Sequence, residues 1–164
     1  MRRTLLGYGT VVSVFAGMAL VLASSSEAGP TVHSVPAFLG QAQQASDYGC
    51  FPNSGGAVTQ SQSPSCSGTR QFCVALPIDP IGGTGSTVQI AVNAPDVNHN
   101  LSCFAHSWTQ IGTLVSASQR LSPQSFSSPQ ILTFTPLNIA PAGVLYACCD
   151  MEPTTTMFSI SVSY

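Results

Sequence analysis

Six cysteines carry the plainest chemistry in this chain: Cys50, Cys66, Cys73, Cys103, Cys148 and Cys149. An even set in a chain that begins with an export signal reads as disulfides, and spacing alone does not choose among the pairings. A second cluster is Asp96-Val97-Asn98-His99-Asn100. The side-chain oxygens of Asp96, Asn98 and Asn100 alternate, which is how a loop wraps a hard cation such as Ca²⁺. An EF-hand loop is not matched: Leu101 stands where glycine is needed, and no glutamate closes the loop. The other reading is a polar connection whose Asp and Asn bond their own backbone. Asn100-Leu101-Ser102 is also a formal N-glycosylation sequon.

The third candidate is aromatic. Phe104, His106 and Trp108 alternate along one strand and share a face. Exposed, Trp108 with His106 would form a sugar-binding platform, because aromatic faces stack on apolar sugar faces while polar tips orient them. Turned inward, Trp108 and Phe104 would fill a sandwich core. An oxidising compartment favours bridges over a zinc site built from Cys103 and His106. Signatures of catalysis are missing. There is no Gly-x-Ser-x-Gly elbow. Ile81-Gly82-Gly83-Thr84-Gly85-Ser86 lacks the lysine and the following helix of a phosphate loop. Asp150 and Glu152 read as solvated carboxylates beyond a strand end. No cofactor is called for.

The elements that must position these residues are strands. Phe72, Val74 and Leu76 alternate with Cys73 and Ala75; Val88, Ile90 and Val92 with Gln89 and Ala91; Phe158, Ile160 and Val162 with serines. A period of two marks half-buried strands. Segments rich in Gly, Pro, Ser and Asn separate them, among them 61–68, 77–85, 122–129 and 136–143. About eight strands are expected, near 56–60, 70–76, 86–93, 101–109, 112–119, 130–135, 144–150 and 156–164. Only Ala37 to Ala45 suits a short helical turn. The fold class is all-β: a two-sheet antiparallel β-sandwich of immunoglobulin-like or jelly-roll type, stapled by disulfides, with a closed barrel as the alternative. Neighbours in a strand face opposite ways, so Cys148 and Cys149 are expected to serve two different bridges. Cys103 is expected to bond Cys148 or Cys149, and Cys50 or Cys66 to bond Cys73.

The N-terminus sets the compartment. Arg2 and Arg3, an apolar run from Val11 to Ala23, and small residues at Ser26 and Ala28 form a secretory signal peptide, 1–28. One domain, 29–164, remains. The run is shorter than a spanning helix needs, so stable membrane insertion after cleavage is not expected. The mature part holds Arg70 and Arg120 against five carboxylates and has no lysine. Such a surface cannot neutralise a phosphate backbone, which excludes nucleic acid as the main partner. Only 6% of the chain is charged. A weakly hydrated, neutral polar surface suits a glycan, a cell-surface protein or a second copy of the chain.

Cys50-Phe51-Pro52-Asn53, Cys73-Val74, Leu101-Ser102-Cys103, Tyr146-Ala147-Cys148 and the terminal Ser159-Ile160-Ser161-Val162-Ser163-Tyr164 follow one another in a familiar order. In this order the chain resembles small secreted β-rich bacterial proteins of unknown function. Val74 in place of a proline, the doubled cysteine and the extra Cys66 depart from that pattern. The resemblance implies an exported β-rich domain and no activity. The residues therefore point to a secreted, extracellular or periplasmic, non-catalytic module with a structural, adhesive or binding role. A carbohydrate-binding module using Trp108 with a nearby Tyr or Asn, a small hydrolase drawing on His106 and Asp150, and a protease inhibitor presenting loop 61–69 are the alternatives.

Overall fold

The computed structural model describes residues 32–78 and 83–163, so the expected signal peptide, 1–28, lies outside the described residues. Among the described residues eleven strands form two antiparallel sheets, and the architecture is the expected β-sandwich. The strands are β1 Val32–Pro36, β2 Gln41–Ala42, β3 Asn53–Ser54, β4 Ala57–Thr59, β5 Arg70–Pro77, β6 Gly83–Asn93, β7 Leu101–Trp108, β8 Leu114–Ala117, β9 Gln130–Ile139, β10 Val144–Met151 and β11 Thr156–Ser163. One sheet runs β3-β4-β11-β6-β9, with β1 also on β11; the other runs β2-β5-β10-β7-β8. Among the described residues no helix is long and apolar enough to cross a membrane.

Strand parity builds the core. Phe72, Val74 and Leu76 of β5, Leu145, Ala147 and Met151 of β10, and Leu101 and Ala105 of β7 point inward. They meet Val88, Ile90 and Val92 of β6, with Ile160 and Val162 of β11. Each large aliphatic side chain buried this way stabilises by about 1.5–3 kcal/mol.

The eight expected strands are all present, and the differences have local causes. Segment 136–143 was expected as a connection, but β9 continues through Pro136 to Ile139. Proline is tolerated there because β9 is an edge strand. Phe158 was expected on the core face with Ile160. A register shift between Met157 and Ser159 moves the alternation by one, and Met157 takes the buried place. β1, β2 and β3 arise in the mixed N-terminal region, where each is too short to show a period. Short 3₁₀ turns form at Ala37–Leu39 and Ala45–Cys50. Gly40, between the first turn and β2, is held hard against β5: a Cβ there would lie 2.4 Å from the Cys73 carbonyl oxygen. That contact sets Leu39 and Gln41 beside the outer face of β5.

The bridges are Cys50–Cys66, Cys73–Cys148 and Cys103–Cys149. The doubled cysteine serves two bridges, as strand geometry requires, and Cys103 bonds one of that pair. The expected partner of Cys73 is corrected, because Cys50 and Cys66 bond each other. Asp47 and Arg70 form an ion pair across that same corner, and Arg70 Nη2 donates to the Ser65 carbonyl. This draws Cys66 toward the Cys50 turn, while Cys73 lies directly opposite Cys148 in the β5–β10 ladder. Cys103 lies opposite Cys149 in the β10–β7 ladder. Strand β10 is thus tied to β5 on its outer face and to β7 on its inner face.

Candidate functional site

The outer face of the five-stranded sheet is a grid fixed by register. Tyr146 of β10 stands between Ala75 of β5 and His106 of β7, and His106 is beside Ala117 of β8. One row along, Val144 stands beside Trp108, and Trp108 beside Leu114. The other way, Cys148 lies between Cys73 and Phe104, and Asp150 between Gln71 and Ser102. Aromatic and aliphatic groups, with the Cys73–Cys148 bridge, therefore occupy most of the face, and polar groups its last row.

Trp108 and Phe104 do not fill the core. Both share the outward parity of β7 with His106. The His106 ring packs 4.7 Å from Phe104 and 6.5 Å from Trp108, centroid to centroid. Phe104 is covered by the Arg120 guanidinium, 4.3 Å above its ring. His106 and Trp108 stay half-buried, and Tyr146 is 39% exposed. Tyr146 was missed as a site residue by sequence reasoning. Its only signal was its place two positions before Cys148, on the same strand face.

Local structure holds this face in place. Arg120 rides on a segment that continues β8 beside β7: Leu121 and Cys103 exchange backbone hydrogen bonds of 2.9 and 2.8 Å. Arg120 also pairs with Asp150, whose other oxygen accepts from Gln71 Nε2 at 2.7 Å. At the far end the β9–β10 turn is pinned to β7, where the Ala140 N–H donates to the buried Ser107 hydroxyl at 3.2 Å. Gly143 of that turn closes on the strand so tightly that a Cβ would lie 2.3 Å from the Trp108 carbonyl oxygen. Burial, and then the charge of Arg120, hold the His106 pKa below its ordinary value. The imidazole is therefore neutral at pH 7 and acts as a donor–acceptor pair.

A shallow groove follows the rings. One depression of about 310 Å³ lies between Gln41, Gln43, His106, Trp108 and Tyr146, with the Cys73–Cys148 bridge lining it. Gln41 and Tyr146 border a second, toward Leu39 and Ala75. Trp108 and Tyr146 border a third, toward Thr109 and Gln110. Uncharged amides and hydroxyls beside aromatic rings can hold a polyhydroxylated ligand by stacking and hydrogen bonds.

The remaining candidates lie elsewhere. Asp96 Oδ1 accepts from the Asn98 N–H at 2.8 Å and contacts His99 Nδ1 at 2.8 Å. These two bonds, the His99 one first, lower its pKa. Asn100 gives its side-chain amide and its N–H to Glu152, which also accepts from the Thr69 hydroxyl. The Asn100 N–H is the main cause of a lowered Glu152 pKa. Loop 94–100 is thus braced by its own donors, and no group of three or more His, Cys, Asp or Glu gathers for a metal among the described residues. Asp150 and Glu152 are committed to separate partners. Asp150 and His106 lie two rows apart on the same face, roughly 13 Å. Loop 61–69 is exposed at its tip and braced underneath: Gln60 Nε2 donates to the carbonyls of Cys66 and Gly68 at 2.8 and 2.7 Å.

No protein-family model and no curated protein matches this sequence. Solved structures overlap it in architecture. The C-terminal family 6 carbohydrate-binding module of LamC from Zobellia galactanivorans is 11% identical, with 82% of this chain and all of that chain covered at a TM-score of 0.48. TmCBM61, solved with β-1,4-galactotriose, is 7% identical over 82% of this chain and 88% of its own, at a TM-score of 0.44. The VP2 subviral particle of infectious bursal disease virus is 12% identical, at a TM-score of 0.49; the overlap covers 93% of this chain and only 37% of the viral one. Overlap at this level carries no function across.

Proposed function

We propose that this chain is an exported, non-catalytic binding module that holds a glycan on the outer face of its five-stranded sheet. The observation that carries the reading is the outward-facing trio of half-buried His106 and Trp108 with exposed Tyr146, set side by side by strand register and bordered by Gln41 and Gln43. Large aromatics on a solvent-facing sheet leave apolar area wet, and a ligand with apolar faces and polar edges recovers it. Three disulfides fit an oxidising compartment outside the cytoplasm.

The test is the fluorescence of Trp108, the single tryptophan, titrated with a panel of soluble polysaccharides. A saturable change in emission, lost in Tyr146→Ala at an unchanged melting temperature, is the expected result. An emission unmoved by every member of the panel overturns the reading.

A second reading rests on Ile111, 90% exposed, with Leu114 and Val115 on the edge strand β8. These apolar groups fit an adhesive contact with a cell-surface protein or a second copy. Sedimentation of Ile111→Lys beside the native chain separates self-association from a monomer.

A further inference from the structure

The aromatic trio sits in the middle of a longer trough, and we infer that the trough takes an internal stretch of an uncharged polysaccharide, laid across the strands, rather than a monosaccharide, a chain end or an acidic glycan. The inference rests on the glycan reading above and narrows it.

Direction comes from register. Ala75, Tyr146 and His106 lie abreast on β5, β10 and β7, so the groove that follows them crosses the strands. From β2 to β7 it spans three strand spacings, roughly 14 Å, and the Thr109–Gln110 turn extends it. Three depressions of about 260, 310 and 300 Å³ meet at Tyr146, which belongs to all of them. That length exceeds one sugar ring. Leu39 at one end is 60% exposed and Gln110 at the other is exposed too, so a chain can run on past both.

Charge selects the class. Among the described residues the lining of the three depressions includes no Asp, Glu, Lys or Arg. The charges on this face, Arg120 and Asp150, are tied to each other beyond Phe104. A carboxylate or sulfate in the trough would lose hydration and find no cation, which is costly. Gln41, Gln43 and Gln110 each offer donors and an acceptor on one amide, and Thr109 offers a hydroxyl. These suit the alternating donor and acceptor edges of neutral sugars. The neutral His106 adds no charge at pH 7.

The experiment is calorimetry on the oxidised mature chain. The probes are neutral gluco- and galacto-oligosaccharides from monosaccharide to hexasaccharide, the same series reduced to alditols at the chain end, and galacturonic acid oligomers. Affinity is expected to rise about tenfold or more with length, to change less than about twofold on end reduction, and to be about tenfold weaker for the uronates. Gln110→Ala should weaken the longest ligand and leave the shortest unchanged, which a merely structural change would not do. Equal affinity for monosaccharide and hexasaccharide, loss of binding on end reduction, or preference for the uronates each overturns the inference and leaves the glycan reading standing. Failure of every saccharide to bind overturns both.

Discussion

Deleting the outer bridge, Cys73→Ala with Cys148→Ala, is expected to cost less stability than deleting the inner one, Cys103→Ala with Cys149→Ala. Loop length taken singly says the opposite. The sequence separations are 75 and 46 residues, and chain-entropy arithmetic assigns them about 4.5 and 4.0 kcal/mol. The two bridges, however, end on adjacent residues of β10. With either one intact, the loop closed by the other runs only between residues 73 and 103 and back through the bonded pair. That loop is about 31 residues long and is worth about 3.7 kcal/mol in both cases. The entropic costs are then equal, and burial decides. Cys103 and Cys149 are fully buried in the core, so truncating them leaves a void. Cys73 is half-buried, and it and Cys148 line an open depression, so truncation there leaves a smaller void that water can enter. The core void adds about 1–2 kcal/mol, which sets the expected losses near 3.7 and 5 kcal/mol. For a domain of this size they correspond to melting points lower by roughly 13 and 17 °C. Urea unfolding of the oxidised variants reads both, and the denaturant slope should rise by the same amount in each, because the unfolded chain gains the same freedom. An outer-bridge variant less stable than the inner-bridge variant would refute the shared-loop reasoning.

Three further outcomes follow from the same geometry. Stability of the native chain should fall between about pH 7 and pH 5 more steeply than that of His106→Gln. The folded imidazole protonates below its ordinary value, because of burial and then Arg120. The unfolded one takes its proton near 6.5, so in that window the unfolded state binds more protons and acid costs stability; melting curves with equal pH slopes would contradict this. Gly143→Ala should cost about 1–3 kcal/mol and shift the Trp108 emission, because the new Cβ drives against the Trp108 carbonyl; an unshifted emission would show that the turn gives way instead. Asp47→Asn should cost about 1–3 kcal/mol, because the half-buried Arg70 loses the buried carboxylate it pairs with; a thermal melt within about 0.5 kcal/mol of the native chain would make that pair dispensable.

The sandwich was legible because its longer strands keep strict alternation. Val88, Ile90 and Val92 occupy core positions where the period of two places them. What escaped was governed by contacts distant in sequence. β2 contributes two residues and exists because Gly40 allows close approach to β5. The bulge that exchanges Phe158 for Met157 is set by the pairing of β11 with β6, which a single strand does not reveal. The Cys50–Cys66 bridge depends on the turns that Asp47 and Arg70 hold together across 23 residues.

The candidate site turned on one unresolved parity. Both faces of β7 are apolar, with Leu101, Cys103 and Ala105 on one and Phe104, His106 and Trp108 on the other. Composition favours turning the aromatics to the core, and the fold instead turns Leu101, Cys103 and Ala105 there. The determinant is the doubled cysteine. Cys148 and Cys149 face opposite ways, so the partner chosen by Cys103 decides which face of β7 is the core. A bridge to Cys148 would have put Cys103 outside and Trp108 inside. The bridge is to Cys149, which shares the core with Leu145 and Ala147. Trp108 lies an odd number of positions from Cys103 and must then face solvent. Tyr146, an even number from Cys148, joins it there. The disulfide pairing and the binding face are therefore one structural fact. A bond map placing Cys103 with Cys148 would remove the aromatic groove along with the glycan reading built on it.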